Sequence, residues 1–220
     1  MCGRFAFFSL TPEELGTFGI CGVDFTPEPR YNIAPTQVVP VIVDRGERKM
    51  ELLRWGLIPA WARDEKIGNR LINARAETLL QKPGFRDAYR KRRCLVPADG
   101  FYEWKKTPEG KLPHFVRMKS RRPFGMAGLW ETWSKGGGDE IRTFTIITTE
   151  PNDVVGEVHD RMPAIVAAAY YDSWLAGEST GPEELQGALG PFEAEEMETI
   201  AVSARVNSPA NDDASIIEPS

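Results

Sequence analysis

Between Val38 and Thr149 the chain is a succession of short β-type segments, each closed off by glycine, proline or charged turn residues, and few architectures accommodate that pattern. Val38 to Val43 and Met50 to Leu57 flank the turn-rich Asp44-Arg45-Gly46-Glu47, which predicts a hairpin. Cys94 to Trp104 reads as two strands or one bent one. His114 to Met118, Phe124 to Trp133 and Ile141 to Thr149 are further strands, the last two parted by the glycine-rich turn Lys135 to Asp139. Helical signals are short and lie between or beyond these runs. Thr11-Pro12-Glu13-Glu14 has the layout of a capping box with proline at the first helical position, predicting a helix to about Phe18. Gly84 to Lys91, a short turn opened by Pro151-Asn152-Asp153, Tyr170 to Leu175 and Pro182 to Leu189 also read as helical. Gly3 to Phe8 suits a short buried strand, Asp24 to Thr36 an ordered loop, Ala164 to Ala167 a strand, and Thr199 to Val206 a last strand before a polar coil tail over 207–220. The expectation is a single α+β domain over residues 1–220, with a β-rich core and peripheral helices.

At 220 residues and 41% hydrophobic the chain can bury the core such a domain needs. No apolar run approaches the ~18 residues of a membrane span, and no secretory signal opens the chain, so a cytoplasmic protein is expected. The three cysteines, Cys2, Cys21 and Cys94, are too few and too widely spaced for a disulfide framework or a zinc site. Cys21 and Cys94 read as ordinary reduced thiols. The net charge of -5 conceals an asymmetry: Arg45 to Arg122 holds 21 Lys and Arg against 9 Asp and Glu, and the remainder holds 6 against 23. A central basic segment can present a phosphate-binding face on an acidic protein, or simply a set of solvated faces.

The reactive candidates begin at Met1-Cys2-Gly3-Arg4-Phe5. Removal of Met1 would leave Cys2 with a free α-amine and a thiol two carbons apart. An α-amine titrates near ~7.7 to 8.0, against ~10.4 for lysine, so a useful fraction is neutral and nucleophilic at pH 7. Amine and thiol can attack one aldehyde carbon in turn, closing a five-membered thiazolidine that no internal cysteine can form. Gly3 keeps the approach open and Arg4 can hold a phosphate. A chain can equally begin Met-Cys with no such role.

Further along, Tyr31-Asn32-Ile33-Ala34-Pro35-Thr36 mixes amide, aromatic and rigid residues suited to a flat polar ligand or to plain packing. Trp55 and Trp61 bracket Gly56 and Pro59. Core positions explain either ring, while aromatics followed by Arg63 and Arg70 have the composition of a single-strand groove. Asn73 is either a helix N-cap or an amide orienting a substrate, with Arg75 two residues on. Arg90 to Arg93 is the densest positive run, at a helix end. In Gly100-Phe101-Tyr102-Glu103-Trp104 a carboxylate among aromatics is costly unless paired or protonated, so burial should raise the pKa of Glu103; the alternative is an edge-strand glutamate facing water. His159, one of two histidines, sits between charged residues in His159-Asp160-Arg161-Met162-Pro163, as a structural or a proton-transferring group.

Taken in order, Met1 to Phe5, Tyr31 to Pro35, Trp55-Gly56, Asn73 to Thr78, Gly100 to Trp104, His159 to Pro163 and Val202-Ser203 resemble the SRAP (SOS-response-associated peptidase) family of abasic-site processing proteins. The resemblance implies a curved, barrel-like β-rich core and a catalytic set of Cys2, Asn73, Glu103 and His159. In that set the Cys2 amine and thiol would trap the ring-opened abasic sugar of single-stranded DNA as a covalent crosslink. Asn73 would orient the groups, while Glu103 and His159 would move protons. It implies a DNA groove lined by Arg4, Asn32, Pro35, Trp55, Trp61, Arg75 and Arg161. Abasic single strands, including those at single-strand/duplex junctions, are the implied partner of a monomer found on the nucleoid when DNA-bound. No metal or cofactor is called for, and self-removal of Met1 and a lyase side activity would accompany the chemistry. Some relatives carry a second aromatic directly after the Trp61 position; this chain has Ala62. Two other classes stay open: an N-terminal-nucleophile cysteine peptidase or amidohydrolase, and a non-covalent single-strand binding module.

Overall fold

The computed structural model describes every residue except Met1, Leu10, Cys21, Gly22, Gly136, Gly137, Glu178, Ser179 and 182–184, together with the side chain of Gln186. In chain order the strands are β1 (Phe5–Phe7), β2 (Arg30–Ile33), β3 (Val38–Asp44), β4 (Arg48–Trp55), β5 (Asn73–Arg75), β6 (Arg93–Ala98), β7 (Gly100–Thr107), β8 (Gly110–Met118), β9 (Phe124–Ser134), β10 (Glu140–Thr149), β11 (Met162–Pro163), β12 (Ile165–Val166) and β13 (Met197–Ala201). The helices are α1 (Pro12–Gly16), α2 (Arg86–Lys91), α3 (Asp153–Gly156) and α4 (Tyr171–Leu175). None of the described helices is long and apolar enough to cross a membrane.

Strands β10, β4, β3, β6 and β9 follow one another around a barrel that closes when β9 pairs with β10. The β4–β10 pairing is parallel, through Thr143↔Arg54 and Phe144↔Trp55, so the barrel is mixed. Val41, Leu53, Trp55, Leu95, Leu129, Phe144 and Ile146 fill its core. A second sheet, in the order β13-β8-β7-β1-β2, lies against this core with Phe5, Phe101 and Val116. Alternation turns Ala6, Tyr102 and Phe115 to its other face, where Val202, Val206 and Ile216 cover them. The architecture is therefore the expected α+β domain with a curved β core and small peripheral helices.

Local chemistry sets the element ends. Thr11 and Glu14 cap α1 reciprocally, the Glu14 amide donating to Thr11 Oγ1 at 3.3 Å and the Thr11 amide to Glu14 Oε2 at 2.9 Å. The helix stops at Gly16, two residues short of Phe18, and Gly19 then turns the chain at φ 73°. The segment 24–36, expected as a loop, contains β2, because Ile33 pairs with Phe5 and gives these backbone groups a partner. The final strand starts at Met197 and ends at Ala201, before a 3-10 turn at Ala204–Asn207. Residues 207–220 hold one 3-10 turn, Ala214–Ile217, and are strapped down. Asp212 accepts from the Arg30 guanidinium and from the amides of Tyr31 (2.5 Å) and Asn32 (2.7 Å). The glycine-rich turn 135–139 and the helix expected over Pro182–Leu189 lie partly outside the described residues; the described part of the latter is a 3-10 turn, Gln186–Leu189.

Candidate active site

The β1–β7 pairing carries the start of the chain to the rim of the barrel. Phe5 lies opposite Phe101 and Ala6 opposite Gly100, and the Tyr102 amide donates to Arg4 O at 2.9 Å. Continuing that register sets Gly3 against Glu103, with Cys2 just beyond. Gly100 leaves room on the other side of β7: a Cβ there would stand 2.6 Å from Val116 O on β8. Both reactive side chains are buried, Cys2 at 0% and Glu103 at 2% exposure. Burial pushes the Cys2 thiol far above its ordinary range, and the Glu103 charge adds to that. Burial likewise lifts the Glu103 carboxyl from 4.5 to about 7, with Asp160 adding to the rise, so at neutral pH it can both give and take a proton.

His159 reaches the same point from the opposite side of the sheet junction. Asn152 caps α3, and the His159 amide donates back to Val155 O at 2.8 Å, which fixes the turn that aims the ring. Nε2 then lies 3.8 Å from Glu103 Oε2. The Arg161 amide donates to Nδ1 at 3.1 Å, while Asp160 Oδ1 is 3.0 Å from the same nitrogen. An amide can only donate, and the Asp160 side chain is 89% exposed and free to turn away, so the amide decides the tautomer: Nδ1 carries the lone pair and Nε2 the proton, facing Glu103. Burial lowers the His159 pKa, and the Lys106 charge acts in the same direction, so the neutral ring dominates at pH 7.

Asn73 opens β5, opposite Ile146 of β10. Its Nδ2 donates to Ile72 O at 3.0 Å, and its Oδ1 is buried with no hydrogen-bond partner among the described residues. It is not a cap: the 3-10 turn Ala76–Thr78 begins after Arg75, without a side-chain cap. Two residues along β10, Thr148 O accepts from Arg161 at 2.6 Å, which ties β5 to the turn carrying His159. Glu103 thus has Cys2 and His159 about it, while Asn73 stands on β5, beside β10 in the barrel sheet. A cleft of about 460 Å³ opens beside them, lined by Glu103, Trp104, Lys106, Lys111, His159 and Asn207. A larger cleft, about 670 Å³, lies between Arg63–Lys66 and Trp133–Ile141; its lining is of mixed charge and contains none of these four residues.

The expected DNA-lining residues divide. Trp61 is 61% exposed beside a smaller hollow with Arg63, Lys66 and Arg70, and Arg75 is exposed. Pro35 is half-buried, in a turn where Thr36 takes φ 73°. Two expectations are corrected. Trp55 is fully buried, with Nε1 on Ile72 O at 2.9 Å and its ring against Phe5 and Phe144, so it is barrel core. Asn32 is fully buried, its Nδ2 on the carbonyls of Val206, Ser208 and Asn211, so it holds the strap. Arg4 is half-buried and donates to Asn32 Oδ1 and Val206 O, each at 2.6 Å. Arg161 forms a two-point pair with Glu77 at 2.7 and 3.1 Å. Lys106, Lys111 and Asn207 line the cleft without having been singled out in the sequence. The available signal was the turn Thr107-Pro108-Glu109-Gly110, which sets the two flanking lysines opposite one another.

The fold and the site define a class: a single-domain mixed barrel with a flanking sheet, presenting a cysteine from the start of the chain to a buried carboxyl and an imidazole. Residues 1–209 match the model of the SOS response associated peptidase (SRAP) family, and the chain belongs to that family. It is 46% identical to the abasic site processing protein YoqW of Bacillus subtilis over 99% of both chains. It is 30% identical to the abasic site processing protein YedK of Escherichia coli over all of both, and 31% identical to the abasic site processing protein HMCES of Gallus gallus over 87% of this chain and 66% of that one. A crystal structure of a Bacteroides thetaiotaomicron protein superimposes with a TM-score of 0.89 at 29% identity, covering 100% of both chains.

Proposed function

We propose that this protein processes abasic sites in DNA by joining Cys2 covalently to the ring-opened sugar, once Met1 has been removed. The observation that supports this best is the carboxyl of Glu103, buried, lifted to about 7, coupled in charge to the Cys2 thiol and 3.8 Å from His159. In the proposed sequence the Cys2 amine adds to the aldehyde carbon. Glu103 in its acid form protonates the departing hydroxyl, and one water leaves as the imine forms. The thiol then adds across the C=N bond, forming the C–S bond while its proton passes to nitrogen. A high-pKa thiol suits this order, because it stays protonated until the imine stands beside it. His159, with its proton on Nε2, serves the sugar oxygen during ring opening, and the unpartnered Asn73 Oδ1 is an acceptor for the incoming amine. β-Elimination from the imine would give a lyase side activity. Single-stranded DNA, alone or at a duplex junction, is the proposed substrate of a monomer acting in the cytoplasm.

Intact mass with and without an abasic oligonucleotide tests the reading. The expected product weighs the sum of protein lacking Met1 and oligonucleotide, less one water, and Cys2→Ala abolishes it while leaving salt-sensitive binding. The family's description as a peptidase supports a second reading, a hydrolase using the same Cys2. Turnover of amides other than the Met1 bond, with no adduct on abasic DNA, would establish that alternative. A Cys2→Ala protein indistinguishable from wild type in every assay would leave only a binding module.

A further inference from the structure

Lys106 and Lys111 are direct cross-strand partners in the β7–β8 hairpin. Side chains so paired leave the same face about 4.5–5.5 Å apart at Cβ, and like charges there destabilise the hairpin. Both are exposed, both line the cleft that holds Glu103 and His159, and neither is ion-paired among the described residues. Glu103, the carboxyl among the cleft's lining residues, faces His159 instead, and Asp160 lies at the other ring nitrogen. Trp104 lies two residues before Lys106 on β7, and its Nε1 donates to Asn207 Oδ1 at 2.8 Å. Since an indole nitrogen only donates, that contact fixes the orientation of the amide and leaves the two Asn207 N–H groups as donors on the cleft wall, with no acceptor among the described residues. Two ammonium groups and an amide, all donors, make a seat for an anion.

The geometry points to Lys106, Lys111 and Asn207 as a binding site for one phosphodiester of the DNA strand, the one flanking the captured sugar; this rests on the abasic-DNA reading above. A sugar held at Glu103 and His159, which line this cleft beside the two lysines, can set one of its two flanking phosphates against them. The lysine pair, unfavourable in the free protein, becomes favourable once an anion bridges it.

The test uses the Cys2→Ala protein, so that no covalent step intervenes, and fluorescence anisotropy with a single strand bearing a tetrahydrofuran abasic analogue. Each phosphate around the lesion is replaced in turn by an uncharged methylphosphonate. Lys106→Gln with Lys111→Gln should weaken binding roughly tenfold at low salt and reduce the salt slope by about 0.7. One methylphosphonate next to the lesion should cost wild type the same and cost the double variant nothing more. Arg at both positions should restore binding, and the melting temperature of the Gln variant should match or exceed wild type. An unchanged salt slope, or a methylphosphonate profile identical in both proteins, overturns the assignment. So does saturable binding of inorganic phosphate together with a flat methylphosphonate scan, which would make the seat one for free anions. Crosslinking is read separately by intact mass with Cys2 present: loss of that product with the phosphate result intact would sink the covalent reading and leave this site standing.

Discussion

His159 Nε2 stands 3.8 Å from Glu103 Oε2, too far for a direct hydrogen bond and close enough that one sugar oxygen seated beside the pair can bond to both. Both groups can therefore act on one reacting oxygen, and proton transfer should dominate the pH response. With the acid form of Glu103 needed, the crosslinking rate should fall above about pH 7 while deprotonation of the α-amine raises it, giving a bell. Glu103→Gln should lower the rate by roughly 10² or more and leave only the rising limb. A single-turnover pH profile identical in the two proteins would remove Glu103 from the mechanism.

The same carboxyl predicts a stability cost. Its pKa in the fold, about 7, lies above the ordinary 4.5 of an unfolded chain, so the folded state holds the proton more tightly. The Glu103 contribution to stability is then highest below pH 4.5, falls as pH rises from 4.5 to 7, and levels off above, by roughly 3 kcal/mol in all. Glu103→Gln should be the more stable protein at pH 8 and lose that advantage by pH 4. Urea midpoints across this range check it.

Trp55 and Trp61 should separate cleanly. Trp55→Ala empties a fully buried site and should cost about 3–5 kcal/mol in denaturant unfolding. Trp61→Ala removes a ring that is 61% exposed, so it should leave the melting temperature unchanged while weakening single-strand binding by about 1–3 kcal/mol.

Arg161 is held by Glu77 and by Thr148 O, and its own amide fixes the His159 tautomer. Arg161→Ala should destabilise the protein by about 1–3 kcal/mol, chiefly by leaving Thr148 O without its charged donor. Glu77→Gln, at a side chain 45% exposed, should cost under about 1 kcal/mol. Thermal melts of the two variants should differ accordingly.

Much of the β core was legible because its signals are local. The hairpin β3–β4 announced itself through apolar runs around a charged turn, and α1 through a capping box whose two bonds both form. Glu103 could be read as a raised carboxyl because it alternates with Phe101 on the face of β7 turned to the core. The two tryptophans could not be sorted, since each sits among glycine, proline and apolar residues and only the barrel's closure assigns one ring to the interior. Nor could the partner of Arg161, 84 residues away, or the role of Asn32, whose three carbonyl acceptors come from a segment too polar to look packed. That segment is held by Val206, where the expected last strand ended, and by Ile216 within the expected coil.

The strap sets an order of events in the cell. Arg4 is seated by the carbonyl of Val206, a residue 202 positions later in synthesis. At about 5–20 residues per second the ribosome needs roughly 10 to 40 seconds to supply it. Throughout that interval the nascent chain carries Arg4 without the carbonyl that seats it, so the start of the chain gains this anchor only when synthesis is nearly complete.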